Sequence, residues 1–159
     1  MLKKTAGTLA VLSSLLVPAV TAQALVTRVE ITERAAYAGG MSFGGVGAYE
    51  QIRGRLHYEV DPGNPANIPI VDLKFAPRNA AGKVEFAGDF YLLKPLDLSK
   101  GNHRLLYDVN NRGNLVMLGY YNDAPTPTGT GNGFLMRQGY SLLWSAWNWD
   151  VVPGSGRMR

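Results

Sequence analysis

The chain has 159 residues, a formal net charge of +4 and no cysteine. The lack of cysteine excludes disulfide bonds and any lipid anchor attached through a thiol. Two of the positive charges are Lys3 and Lys4, and no basic cluster follows them, which argues against a nucleic-acid partner.

The first 24 residues have the pattern of a cleaved secretion signal. The two lysines precede an apolar stretch over residues 5–17, and Ala22-Gln23-Ala24 forms a small-x-small cleavage site. The apolar stretch holds about 13 residues where a membrane-spanning helix needs about 20, and Pro18 ends it. We therefore expect a signal peptide over 1–24 that is cleaved after Ala24, and a single mature domain over 25–159. Such a protein is secreted or periplasmic and has no stable membrane anchor.

Alternating patterns predict antiparallel strands in the first half of the mature chain. VTRVEITER (26–34) and YEQIRGRLHYEV (49–60) alternate apolar and polar residues with a period of two, which is typical of half-buried strands. IVDLKFAP (70–77) and KVEFAGDFYLLKP (83–95) predict a second strand pair, joined by the turn RNAAG.

The pattern changes after Pro95. RLLYDVNNRGN (104–114) contains a short apolar run that suits a strand buried on both faces, and SLLWSAWNWDV (141–151) contains another. Between them GFLMRQGY (133–140) predicts a short helix that Gly139 can end. A strand, a crossover helix and a strand form a βαβ unit with parallel pairing. We therefore predict the α/β class: N-terminal antiparallel β strands that lead into a first parallel βαβ unit.

The segment RLLYDVNNRGN…GFLMRQGYSLLWSAWNWD resembles the third strand, first crossover helix and fourth strand of an α/β-hydrolase. In detail it is similar to the secreted bacterial alpha/beta hydrolase domain proteins, over Val26 to about Gly156. The resemblance implies an incomplete α/β-hydrolase-like sheet, since the nucleophile, acid and base would lie downstream of Arg159. The chain would then be the N-terminal portion of a serine esterase, inactive alone, that acts on a small-molecule ester and needs no cofactor.

The resemblance also implies an oxyanion loop at Asn111, Arg112 and Gly113. Asn110 to Gly113 lies where the family has His-Gly-x-Gly, which would place the backbone N–H of Arg112 at the oxyanion. Asn-Asn replaces His-Gly in this chain. The alternative is a simple turn at a strand end, because Asn and Gly tolerate positive φ.

Gly40-Met41-Ser42-Phe43-Gly44 matches the G-x-S-x-G pattern of a hydrolase nucleophile, but its context does not. Gly45-Val46-Gly47 follows, which disfavours the helix that such an elbow requires. Only His57 and His103 could serve as its base, and we expect one on a solvated strand face and the other in a surface loop. Ser42 is therefore expected to be a loop residue, although triads are defined by geometry and not by order.

The rival hypothesis is a complete, exported, β-rich module that binds a ligand or carbohydrate without catalysis. Trp144, Trp147 and Trp149 with Tyr140 could form an aromatic platform, although large aromatic side chains near a buried strand more often belong to the core. Asp108 interrupts an apolar strand and needs a partner if buried. No spacing of His and carboxylate residues predicts a metal site.

Overall fold

The computed structural model describes residues 24–159, so the predicted signal peptide up to Gln23 lies outside the described residues. The described chain forms five strands and two short α-helices: β1 (Ala24–Ala36), β2 (Tyr49–Val60), β3 (Val84–Pro95), β4 (Leu105–Asp108), α1 (Met117–Asn122), α2 (Phe134–Arg137) and β5 (Ser141–Ser145). Single 3-10 turns interrupt the loops at Tyr37–Gly40, Gly44–Val46, Pro65–Asn67, Leu73–Phe75 and Leu98–Lys100.

The five strands form one mixed sheet in the order β1-β2-β3-β5-β4. The pairs β1/β2, β2/β3 and β3/β5 are antiparallel, and only the edge pair β4/β5 is parallel. The long β2 and β3 pair over their full lengths, from Tyr49 opposite Pro95 to Val60 opposite Val84. The period-two patterns of 49–60 and 83–95 therefore lie on neighbouring strands, which form the centre of the sheet.

The predicted α/β-hydrolase-like class is wrong. The described sheet is mostly antiparallel, and the connection between β4 and β5 contains helices of six and four residues in place of a long crossover helix. The expectation failed because the apolar run of β4 is not buried on both faces: Leu105 and Tyr107 alternate with half-buried neighbours at the sheet edge. β5 likewise alternates between buried and half-buried residues.

The strand predicted over 70–77 is also absent from the structure. This stretch belongs to the connection between β2 and β3 and contains one 3-10 turn, Leu73–Phe75, which begins after Asp72 at a φ of 60°. A positive φ is incompatible with an extended strand. Val71 and Phe75, which the alternating pattern assigns to a half-buried strand, are largely exposed.

The hydrophobic core lies on one face of the sheet, which we call the covered face. Its largest ring contact is the stack of Tyr91 on Trp144, with centroids 5.3 Å apart. The Tyr49 hydroxyl donates to the carbonyls of Met136 at 3.0 Å and Tyr140 at 2.9 Å, which ties the sheet to the end of α2. The other core side chains come from the strands, both helices, the loops and the C-terminal segment: Tyr37, Phe43, Leu93, Leu115, Met117, Leu118, Leu135, Met136, Leu142 and Met158.

The opposite side of the sheet, which we call the open face, is also apolar. Cross-strand partners lie on one face, so the strand registers place these residues together: Val26, Val29, Ile31, Leu56, Tyr58, Phe86, Phe90, Leu92, Leu105, Tyr107 and Leu143. The core cluster of residues 24–159 takes no side chain from this face. Within the same range, no helix is long and apolar enough to cross a membrane.

Candidate functional site

The residues of the predicted oxyanion loop form a tight turn immediately after β4. Asn111 and Asn114 exchange two backbone hydrogen bonds of 3.0 Å. The two residues between them have positive φ, 47° at Arg112 and 82° at Gly113, as the central residues of a type I′ turn do. The sequence Asn-Arg-Gly-Asn over residues 111–114 suits a type I′ turn, because glycine at the second central position adopts a positive φ without strain.

One backbone donor of this turn is free. The N–H of Gly113 donates to the side-chain oxygen of the buried Asn110 at 2.7 Å, and the N–H groups of Asn111 and Asn114 bond each other's carbonyls. The N–H of Arg112 has no acceptor among residues 24–159. The backbone N–H of Arg112 is therefore available to donate to an oxygen of a bound ligand. The backbone N–H of Gly113 is not, because it already donates to Asn110.

A cavity of about 200 Å³ borders the turn. Asp150 and Val151 line it together with the turn, and the guanidinium of Arg112 donates to the carboxylate of Asp150. Gly113 packs so closely against the C-terminal segment that a Cβ would lie 2.5 Å from the carbonyl oxygen of Met158. The same segment therefore holds the turn at Gly113 and lines the cavity beside Arg112.

Ser42 is an exposed loop residue, and the histidines do not form a triad with it. Its Oγ lies 3.5 Å from the carbonyl oxygen of Gly44, and its backbone pairs with Ala48. His57 follows Ala48 by nine positions along extended chain, which at about 3.3 Å per residue puts it roughly 30 Å away. His103 is exposed in the loop before β4, at a φ of 58°.

His57 instead belongs to a charged cluster on the covered face. Its Nε2 lies 3.0 Å from the Glu30 carboxylate, and Arg28 contacts both residues. Hydrogen bonds from His57 and Arg28 hold the pKa of Glu30 below its usual value. The cluster is a set of mutually paired strand residues, and no group of three His or carboxylate residues in the described range could hold a metal ion.

The four aromatic residues of the hypothetical platform separate into two pairs. Trp144 is fully buried in the core, and Tyr140 packs against the core from its edge. Trp147 and Trp149, which follow β5, are 58% and 95% exposed. The platform hypothesis therefore applies to these two tryptophans only.

Trp147 and Trp149 line a cavity of about 300 Å³, which we call the aromatic groove. Its other wall contains Tyr58 and Phe86, whose rings stack with centroids 4.9 Å apart and planes inclined by 12°. Burial raises the pKa of Tyr58, so its phenol is neutral at physiological pH. Arg159 also lines this groove.

A second cavity of about 340 Å³ adjoins the aromatic groove and shares Trp149 and Arg159 with it. Here Arg55 Nε lies 3.5 Å from Asp89 Oδ1, and the Arg159 N–H donates to the other oxygen of that carboxylate at 2.9 Å. The groove thus has an aromatic end and a charged end that contains two arginines and one aspartate.

The side-chain carboxylate of Asp108 is hydrogen-bonded, as expected for an acidic residue in an apolar strand. Its Oδ2 accepts the indole N–H of Trp144 at 2.6 Å and the backbone N–H of Met117 at 3.1 Å. The carboxylate therefore connects β4 to β5 and to the first turn of α1, and its role is structural.

The amino-acid sequence does not reveal the hydrogen-bonding role of Asn110 or the exposure of Trp147 and Trp149. The alternation of Trp147 and Trp149 with Asn148 and Asp150 would instead predict buried tryptophans, because in a half-buried strand the polar residues face solvent. No local signal marks Asn110, because its partners Gly113 and Ser145 are brought to it only by the turn and the sheet.

Comparison with family models, curated proteins and solved structures found no match to this chain. The resemblance to secreted hydrolases therefore remains an expectation, and the aromatic groove and the turn at Arg112 are the two features from which a function can be inferred.

Proposed function

We propose that the chain binds a small ligand with a flat apolar face, of the carbohydrate class, in the aromatic groove. The observation that supports this is the exposure of Trp149, 95%, beside Trp147 and a stacked Tyr58–Phe86 pair. Large aromatic side chains are usually buried, and their exposure around a concavity is typical of a binding site.

The chemistry of the groove fits a sugar better than a purely apolar ligand. The C–H face of a pyranose stacks on an indole ring, and its hydroxyls need donors and acceptors at the ring edge. The adjoining charged end supplies both, since Arg55 and Arg159 donate and Asp89 accepts. A cavity of about 300 Å³ accommodates one or two sugar rings.

The direct test is a titration followed by tryptophan emission, with xylohexaose, cellohexaose, chitohexaose and a polygalacturonate oligomer as probes. We expect at least one probe to shift the emission saturably and Trp149→Ala to weaken its binding about tenfold or more. Tyr120→Ala is the matched control, since Tyr120 is an exposed aromatic residue on α1 outside the groove. An unchanged affinity of Trp149→Ala, or no response to any probe at millimolar concentration, would contradict the proposal.

A second candidate function is ester hydrolysis, which the free N–H of Arg112 favours. A preorganised backbone donor beside a cavity can stabilise a tetrahedral oxyanion. The nucleophile, acid and base would have to come from outside residues 24–159. Translation of the reading frame downstream of Arg159 tests this: a strand followed by G-x-S-x-G and a helix supports it, and a chromogenic ester then measures the activity of the whole product.

A further inference from the structure

The open face of the sheet has the composition of an interior surface. Apart from Arg34, Glu50 and Lys94 at one end, its strand residues are apolar or neutral. Six of them are between 45% and 58% exposed: Val26, Val29, Ile31, Phe86, Leu105 and Tyr107. A sheet with apolar side chains on both faces normally packs against a second layer on each. In residues 24–159 the helices and the core cluster lie on the covered face. On the open face four apolar side chains are buried, Ile52, Val60, Val84 and Phe90, while the six listed above remain exposed.

The exposed area is close to that of a protein interface. With a full area of about 150–250 Å² for residues of this size, the exposed fractions amount to roughly 450–750 Å² of apolar surface. A standard interface buries about 800 Å² on each partner and about 600 Å² at the lower end of its range, and the largest apolar patch of a typical monomer is about 300–600 Å². The open face is therefore about as large as the smaller specific interfaces.

The edges of the sheet are less suited to association than its face. β1 has charged residues along its length, including Arg28, Glu30 and Glu33, and its register with β2 shifts at two places. Charges and bulges are the features that prevent one edge strand from pairing with another. At the other edge β4 has only four residues. A partner is therefore expected to stack on the sheet and not to extend it.

The charge distribution of the open face allows a second copy of the chain to be that partner. Among the described strands, the charged residues of this face are Arg34, Glu50 and Lys94, which lie at one end of it. There the buried Glu50 forms ion pairs with both basic residues. Two copies that stack by their apolar regions thus bring no like charges together. Because a twofold axis requires a self-complementary surface, a neutral apolar face is well suited to it.

We propose that two copies of this chain associate through their open faces as a sheet-on-sheet dimer. The stacked sheets would lie about 10 Å apart and form a second core from side chains that are exposed in the single chain. Tyr58 and Phe86 belong to the open face and also to the wall of the aromatic groove, so the second copy would close the groove on that side. The dimer does not depend on what the groove binds.

The test is sedimentation velocity of the full chain over a range of concentrations, with two matched valine-to-lysine variants. Val29→Lys places a charge in the open face, and Val71→Lys places the same charge on an exposed valine of the β2–β3 connection. We expect a dimer for the wild type and for Val71→Lys, and a dissociation constant raised at least about a hundredfold in Val29→Lys. Ile31→Lys should have the same effect if Val29→Lys fails to fold, as judged by circular dichroism.

Two results would overturn the proposal. A wild-type chain that stays monomeric at millimolar concentration excludes the dimer, and the open face would then be left to a different partner. A dimer that Val29→Lys and Ile31→Lys leave intact would place the interface elsewhere on the molecule. Sugar binding is tested separately, by the emission titration of the wild type and of Trp149→Ala.

Discussion

Replacing Asp108 by alanine should destabilise the protein by removing one acceptor that three elements share. Alanine leaves the indole N–H of the fully buried Trp144 without its 2.6 Å partner and removes the acceptor for the Met117 N–H at the start of α1. An unsatisfied buried donor costs about 1–3 kcal/mol and a lost helix cap about 1 kcal/mol, so the free energy of unfolding should fall by roughly 2–4 kcal/mol.

Urea unfolding followed by tryptophan fluorescence measures this loss. With a slope of about 2 kcal/mol per molar urea, the midpoint should fall by about 1–2 M. Asp108→Asn retains a side-chain acceptor and should lose less than half as much. In a Trp144→Phe background the indole donor is absent, so Asp108→Ala should cost only about 1 kcal/mol there. A midpoint for Asp108→Ala within about 0.2 M of the wild type would refute the assigned role.

Three further sets of substitutions test other parts of the structure. Gly54→Ala puts a Cβ 1.9 Å from the Glu30 carbonyl oxygen and should destabilise by more than about 2 kcal/mol, whereas Gly45→Ala meets open space and should stay within about 0.5 kcal/mol in thermal melts. Arg112→Gly relieves the positive φ of 47° and should stabilise by up to about 1 kcal/mol, while Arg112→Pro cannot adopt that φ and should unfold the turn; calorimetry showing equal stability of the two would contradict the assigned turn. Burial raises the pKa of Tyr37 to about 12 from 10.0, so folding favours its neutral phenol. Its contribution to stability should be complete below pH 10 and disappear as the pH rises through about 12, and Tyr37→Phe should flatten the dependence of the urea midpoint on pH over that range.

The strands of the first half of the sheet could be predicted because their alternation reflects burial directly. The patterns over 26–34, 49–60 and 83–95 fall within β1, β2 and β3. The short helix before Gly139 is likewise observed, as α2, and Gly139 has the positive φ of 78° that ends it. These features depend on residues close in sequence, which is the information that local patterns contain.

The fold class could not be predicted because it depends on what covers each face. The consecutive apolar residues Leu105, Leu106 and Tyr107 indicate a strand that is apolar on both faces, and the usual cause is burial between two helix layers. Here Leu105 and Tyr107 lie on the open face at a sheet edge. A local pattern shows whether a strand face is apolar but not whether a second layer of helices covers that face. The presence or absence of that layer distinguishes a parallel α/β sheet from the mostly antiparallel sheet observed here.

The turn at Arg112 and the aromatic groove are not independent features, because Asn110 connects them. Its side chain accepts from the Gly113 N–H at 2.7 Å and donates to the Ser145 carbonyl at 2.6 Å, while its own carbonyl accepts the indole N–H of Trp147 at 2.8 Å. A substitution at Asn110 would therefore change the free donor of Arg112 and the orientation of Trp147 together. The two candidate functions can therefore be tested separately only by substitutions at residues other than Asn110. These are Trp149 for the groove and Arg112 for the turn.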